Sequence, residues 1–197
     1  MKFIVFEGID GSGLSTQSRL LKEYLTKTSA KILLTKEPTD GLIGMLIRST
    51  LRKQIKFDDK TLALLFAADR MDHLASIKFN NYDYVISDRY YISNFAYQSQ
   101  TIDLNFLIEI NKFARKPDSV IFLNVKPETC IERITRNRDN IELYENIEKL
   151  KATKENYLKI MDYLRKNFDL NVVFVDGNRS IEEVRKDIVK AVENQMV

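Results

Sequence analysis

A short apolar run, Lys2 to Glu7, ends at a turn that holds Gly8, Gly11 and Gly13. Aromatic and β-branched side chains in so short a run read as a strand buried on both faces. Beyond the turn, Gln17 to Thr28 carries Leu20, Leu21 and Leu25 and reads as a helix. A strand without a polar face belongs to a parallel sheet covered by helices on both sides.

The same alternation repeats along the chain. Lys31 to Thr35, Tyr84 to Ser87, Val120 to Val125 and Asn171 to Val175 read as further short strands, giving five in all. Leu42 to Leu51 and Asp59 to Phe79 read as helices, the second long and apolar on one face. Pro127 stands in the first turn of another helix. Glu142 to Phe168 reads as one long charged helix, interrupted near its start. Ser180 with Glu183 three residues on is a capping box, opening a helix with Ile181, Val184, Ile188 and Val192 inward. No linker, repeat or low-complexity tract divides the 197 residues, so a single domain is expected. Ligands of such sheets bind beyond the carboxyl ends of the strands. The turns after Glu7, Thr35, Ser87, Val125 and Asp176 are where chemistry is expected.

Composition removes several function classes. Lys plus Arg numbers 31 and Asp plus Glu 28, a net charge of +3, which does not amount to the clustered basic face nucleic acid requires. The longest apolar stretch, around Leu62 to Ala68, is far shorter than the ~18 residues of a membrane span. Glu7 interrupts the apolar run after Lys2, so no secretory signal is expected. Cys130 is the one cysteine, which excludes an intrachain disulfide and fits a reducing, cytoplasmic setting. On its helix Cys130 reads as a small buried hydrophobe. Neither nucleic acid nor a membrane is an expected partner.

The first turn carries the sharpest signal. Gly8-Ile9-Asp10-Gly11-Ser12-Gly13-Leu14-Ser15 lies between a strand and a helix, and matches the phosphate-binding loop at all positions but one. The glycines let successive backbone N–H groups point inward as an anion nest, and the helix start adds its positive dipole end. Ser15 is placed to reach a magnesium ion bridging the phosphates. The exception is Leu14, which stands where such loops hold lysine.

Phe6 to Gly13, followed by Ser15-Thr16-Gln17, resembles the opening of the thymidylate kinases, which phosphorylate thymidine monophosphate (dTMP) with ATP. Later turns extend the likeness: Glu37-Pro38-Thr39, then Leu64 to Arg70, then Asp88-Arg89-Tyr90 with Ser93, Asn94, Tyr97 and Gln98 after it. The likeness runs from Phe6 to Ser180. It implies a three-layer α/β fold of the P-loop NTPase type, a five-stranded parallel sheet with helices on both faces and a mobile lid at about 136–146. Homodimers are common among similar members, and the long helix from Asp59 is the expected interface.

The resemblance also assigns roles. ATP with Mg²⁺ would lie on Gly8, Ile9, Asp10, Gly11, Ser12, Gly13, Leu14, Ser15 and Thr16, with Arg133 from the lid region and Arg179 near the adenine turn. Ser15 and Asp88 would hold the metal. Glu37 and Pro38 would bind the substrate, Arg48 and Arg89 the acceptor phosphate, and Asp10 the sugar's 3′-hydroxyl. Phe66 and Arg70, four apart on one helix face, would stack on the pyrimidine and donate to its carbonyl. Ser93, Asn94 and Gln98 would line the nucleoside, Tyr97 would crowd the 2′ position, and Tyr144 would flank the acceptor. His73 receives no role beyond its helix. Gly11-Ser12 carries no arginine, so the catalytic arginines beside Asp88 and Arg89 are expected from the lid, at Arg136 and Arg138.

The implied reaction is in-line transfer of the γ-phosphoryl group of ATP to the 5′-phosphate of dTMP. That phosphate has a second pKa of about 6 and is mostly a dianion at neutral pH, so positioning and charge neutralisation are the expected contributions. Two alternatives stay open on the residues alone. One is a kinase for another nucleoside or nucleotide; the other is a nucleotide-binding protein that lost turnover with the loop lysine.

Overall fold

The computed structural model describes residues 1–137 and 146–194. Five strands, β1 (Lys2–Glu7), β2 (Ile32–Lys36), β3 (Tyr84–Asp88), β4 (Ser119–Asn124) and β5 (Val172–Asp176), form one sheet in the order β2-β3-β1-β4-β5. Every neighbouring pair is parallel. β1 is central, and Phe3 through Glu7 are all buried, which requires cover on both faces. Helix α1 (Leu14–Thr26) packs with α8 (Ile181–Glu193), while α4 (Tyr91–Gln98) packs with α7 (Ile147–Phe168). Helices α2 (Leu42–Leu51), α3 (Asp59–Ser76), α5 (Leu104–Ile110) and α6 (Pro127–Asn137) complete the chain order.

Register decides where the site lies. Asp88 pairs with Phe6 on one side and Lys36 on the other, so the carboxyl ends of β1, β2 and β3 finish at one edge. The turn after β1 opens onto that edge.

The structure departs from the sequence pattern in three places, at the end of α3, in the stretch after β3 and at Ile181. α3 stops at Ser76 rather than Phe79, because Ile77 is extended and a separate 3-10 turn spans Phe79–Asn81. Phe79 still meets Phe3 edge to face at 5.7 Å, so the apolar periodicity continues although the helix does not. Two short helices, α4 and α5, fill the stretch after β3, where periodicity is too brief to read. Asp103 caps α5 by accepting from the N–H of Asn105 and Phe106. α7 begins at Ile147, capped by Asn146, and the expected start at Glu142 lies outside the described residues. Ile181 is 59% exposed, in contrast to buried Val184, Ile188 and Val192. It occupies the first position of α8, beyond the packed face. The Ser180–Glu183 capping box forms as expected.

Candidate functional site

The loop between β1 and α1 takes its shape from two glycines. Gly11 has φ +79°, and a Cβ there would lie 2.6 Å from the Cys130 carbonyl oxygen, so both conformation and space exclude a side chain. Gly13 has φ +97° and caps α1 without any side-chain hydrogen bond. The N–H groups of the first turn therefore face the cleft with neither an i−4 carbonyl nor a capping oxygen. That arrangement fits a phosphate. Leu14 opens the helix, joins the core and forms part of the cleft wall.

The cleft measures about 460 Å³. Of the residues expected at the site, Ile9 to Thr16, Glu37, Pro38, Arg48, Phe66, Asp88, Arg89, Ser93, Asn94, Tyr97, Gln98 and Arg133 line it together. Lys36, Leu51 and Ile134 join them without having been expected; none carries a motif signal. Gly8 is buried just beneath, its carbonyl accepting from Arg89 at 3.0 Å.

Beside the loop, Ser15 Oγ donates to Asp88 Oδ2 at 2.5 Å. A hydroxyl and a carboxylate at a phosphate loop form an oxygen donor set suited to hydrated magnesium. Arg89 adopts φ +70°, a conformation costly for a side-chain-bearing residue. Its backbone N–H is held by the Phe6 carbonyl at 3.0 Å. The guanidinium donates to Asp10 Oδ1 at 2.6 Å and Ser93 Oγ at 3.1 Å. Tyr97 closes this group, donating to Asp10 Oδ2 at 2.9 Å with its ring 5.5 Å from the Arg89 guanidinium carbon. Burial works against the Arg89 charge, but Tyr97 and Asp10 nearby raise its pKa well above the ordinary value.

Glu7 supplies a function the sequence pattern does not reveal. It is fully buried, and Oε1 accepts from the backbone N–H groups of Tyr90 (3.0 Å) and Ser93 (3.2 Å). Oε2 accepts from Ser93 Oγ at 2.6 Å and Tyr157 Oη at 2.9 Å. The carboxylate thus caps α4 from another element and ties it to α7. Burial raises its pKa to about 7, against the lowering effect of Ser93, Arg89 and Tyr157. A charged residue ending an otherwise apolar strand was the available signal.

On the side expected to take the nucleoside, the structure separates Arg70 from Phe66. Phe66 reaches the cleft wall, but Arg70 is only 1% exposed and lies behind that wall. Its Nε donates to Glu37 Oε2 at 2.8 Å, and its Nη1 donates to Asn111 Oδ1. Four-residue spacing put Arg70 on the same helix face as Phe66, but a buried carboxylate on another element captured the guanidinium. His73 is also engaged, with Nδ1 3.1 Å from Glu37 Oε1 and Nε2 2.6 Å from Thr35 Oγ1. Arg48 donates to the carbonyls of Pro38 and Thr39 and pairs with Asp40 at 3.5 Å, which places it at the cleft mouth.

The remaining arginines separate. Arg133 lines the cleft and donates to the Ser12 and Gly177 carbonyls at 3.4 and 3.0 Å. Arg136 is exposed at the end of α6, outside the wall of the cleft. Arg179 is not at the wall either; it pairs with Asp176 and Asp187 on the α8 side. Two neighbouring carboxylates outcompete the cleft for that guanidinium. Arg138, Tyr144 and most of the span expected to form a lid lie outside the described residues. Cys130 is buried, and burial pushes its thiol up to about 12, as a packing residue requires.

Comparison with known proteins converges on one family. The thymidylate kinase family model matches residues 6–188. A probable thymidylate kinase of Methanococcus aeolicus is 42% identical over 192 residues, covering 96% of this chain and 94% of that protein. One of Methanocaldococcus jannaschii is 40% identical over 196 residues, covering 98% and 96%. Among solved structures, a thymidylate kinase from Candida albicans superposes with a TM-score of 0.83 at 27% identity, covering 99% of this chain and 92% of that one. A parallel five-stranded sheet, a glycine loop feeding α1 and this breadth of similarity lead to one conclusion: the chain belongs to the thymidylate kinase family.

Proposed function

We infer that the chain transfers the γ-phosphoryl group of ATP to the 5′-phosphate of dTMP, giving thymidine diphosphate and ADP. The observation that carries this reading is a single cleft lined at one end by the uncapped start of α1 and at the other by Phe66, Asn94, Tyr97 and Gln98. Family membership supplies ATP and Mg²⁺ as the phosphoryl donor and its metal. Ser15 and Asp88 would hold the ion, whose charge lessens repulsion between the two polyanions. Arg89, fixed by Asp10, Ser93 and Tyr97, presents a rigid fork to the acceptor phosphate. Asp10, at the same junction, faces the sugar's 3′-hydroxyl. Phe66 offers an aromatic face to the base. Little covalent work falls to the protein: positioning and fixed charge supply the rate.

The lid arginines Arg136 and Arg138 are proposed to complete the charge that Leu14 cannot provide. One domain over 1–197, in cytoplasm, completes the reading. Among the described residues no helix is long and apolar enough to cross a membrane. We also propose a homodimer formed through α2 and α3, which expose Leu42 (80%), Met45 (53%) and Leu64 (49%). Sedimentation showing only monomer at micromolar concentration removes that part. For the reaction itself, ADP release is measured over a panel of nucleoside monophosphates. Release with dTMP above other acceptors supports the reading. Release with a different acceptor alone, or ATP binding without turnover, overturns it.

A further inference from the structure

Tyr157 stands on α7 behind the wall of the cleft and is fully buried. Its ring packs against Phe122 at 5.3 Å and edge-on to Tyr97 at 6.0 Å. Its hydroxyl reaches three groups: Ser93 Oγ at 2.7 Å, Glu7 Oε2 at 2.9 Å and Arg89 Nη1 at 3.4 Å. The hydrogens of this group have one consistent order. A guanidinium only donates and a carboxylate only accepts, while each hydroxyl has a single hydrogen to give. Burial, with the Glu7 charge nearby, raises the Tyr157 pKa well above its ordinary value, so the hydroxyl keeps its hydrogen. Glu7 Oε2 takes the hydrogens of Ser93 at 2.6 Å and of Tyr157. Both hydroxyl oxygens then turn lone pairs toward Arg89 Nη1. The other Glu7 oxygen holds the backbone N–H groups of Tyr90 and Ser93, just after the strained Arg89.

We propose that Tyr157, which does not line the cleft, is a positioning residue for the acceptor phosphate, its hydroxyl helping to lock the Arg89 guanidinium from behind. The inference rests on the reading of Arg89 as the residue that grips that phosphate. Nη1 is committed to the protein, donating to the Gly8 carbonyl at 3.0 Å as well as toward the two hydroxyls. Nη2 gives one hydrogen to Asp10 Oδ1 at 2.6 Å. Among the described residues none accepts from Nε, so the Nε hydrogen and the second Nη2 hydrogen remain for a ligand. A guanidinium that cannot turn presents those two donors without losing freedom when the phosphate arrives.

Tyr157→Phe tests this by removing the hydroxyl and keeping the ring. Binding of dTMP is compared with binding of thymidine, which has the same base and sugar and no phosphate. The comparison is made at about pH 8, above the Glu7 pKa of about 7, so that Glu7 is a carboxylate. Affinity for dTMP should fall about fivefold to tenfold, with affinity for thymidine and KM for ATP unchanged. Equal losses for dTMP and thymidine, or no loss for either, would mean that the hydroxyl serves only the fold and overturn the inference. If Arg89→Lys leaves the preference for dTMP over thymidine intact, the assignment of Arg89 to the phosphate fails instead, so the two failures are distinguishable. If Tyr157→Phe does not fold, the wild-type Arg89 side chain is read by NMR. Slow rotation about its Nε–Cζ bond supports the lock, and rotation as fast as in free arginine overturns it.

Discussion

The two ends of the cleft are built on different principles. At the end proposed for phosphate, one contiguous loop from Gly8 to Ser15 presents backbone N–H groups, and its shape follows from glycines at φ +79° and +97°. At the end proposed for the nucleoside, Glu37, the α3 residues Arg70 and His73, the α4 residues Asn94 and Gln98, and Asn111 satisfy one another in the dry interior. The loop can lose a ligand contact and keep its fold. The nucleoside wall cannot lose a polar partner without stranding another, because a buried group forfeits its water and gains nothing in return. Rate and stability should therefore separate at one end and move together at the other.

The largest effect is expected at Arg70. Arg70→Ala leaves Glu37 buried with His73 as its remaining ionisable partner, and breaking a buried pair costs about 3–5 kcal/mol. Read as a contact to the base, Arg70 predicts a different result: a loss of about 1.5–3 kcal/mol in acceptor affinity alone. Urea unfolding beside acceptor titration separates them. Wild-type stability in Arg70→Ala would break the contrast between the two ends.

Asp88→Asn keeps the shape and removes the charge beside Ser15. Turnover should fall about 10²–10³-fold, or roughly 2.7–4 kcal/mol, with circular dichroism unchanged. Wild-type turnover across a magnesium titration would reduce Asp88 to a hydrogen-bond acceptor for Ser15.

Glu7 joins the two ends, and its prediction concerns pH. Its pKa is about 7 in the folded chain against 4.5 for an ordinary glutamate. Between those values the folded state keeps a proton that the unfolded chain has released. Its contribution to stability is thus fully present below pH 4.5 and is lost as pH rises through about 7. At 1.36 kcal/mol per pK unit, the decline amounts to about 3 kcal/mol at most. Glu7→Gln should flatten this dependence between pH 5 and 8 in denaturant unfolding; an unaltered slope would assign the titration elsewhere.

The smallest effect is expected at Leu14. If lid arginines already neutralise the transferring phosphates, Leu14→Lys should raise turnover by less than tenfold, a difference under about 1.4 kcal/mol. The paired substitution Arg136→Ala with Arg138→Ala should instead collapse it, and Leu14→Lys in that background should restore part of the rate. A large gain from Leu14→Lys alone, with harmless lid alanines, would show that the missing charge was never replaced.

Local physics determined much of this protein from its sequence. Short apolar runs and helical periodicity placed all five strands, and the Ser180–Glu183 capping box and the Gly8 to Ser15 loop followed from backbone rules confined to a few residues. The glycine loop's shape was legible for that reason. Only the tertiary structure decided that Arg70 turns inward, that Ile181 stays outside, and that Glu7 caps a distant helix. Those outcomes rest on partners 33 residues away for Arg70 and Glu37, and 150 away for Glu7 and Tyr157. Asn111 shows the limit most clearly: an ordinary asparagine by its neighbours in the chain, it gains its orientation from Arg70, 41 residues away. Backbone conformation is set by adjacent residues, whereas the partner of a buried polar group is whichever complementary group the fold brings within hydrogen-bond reach.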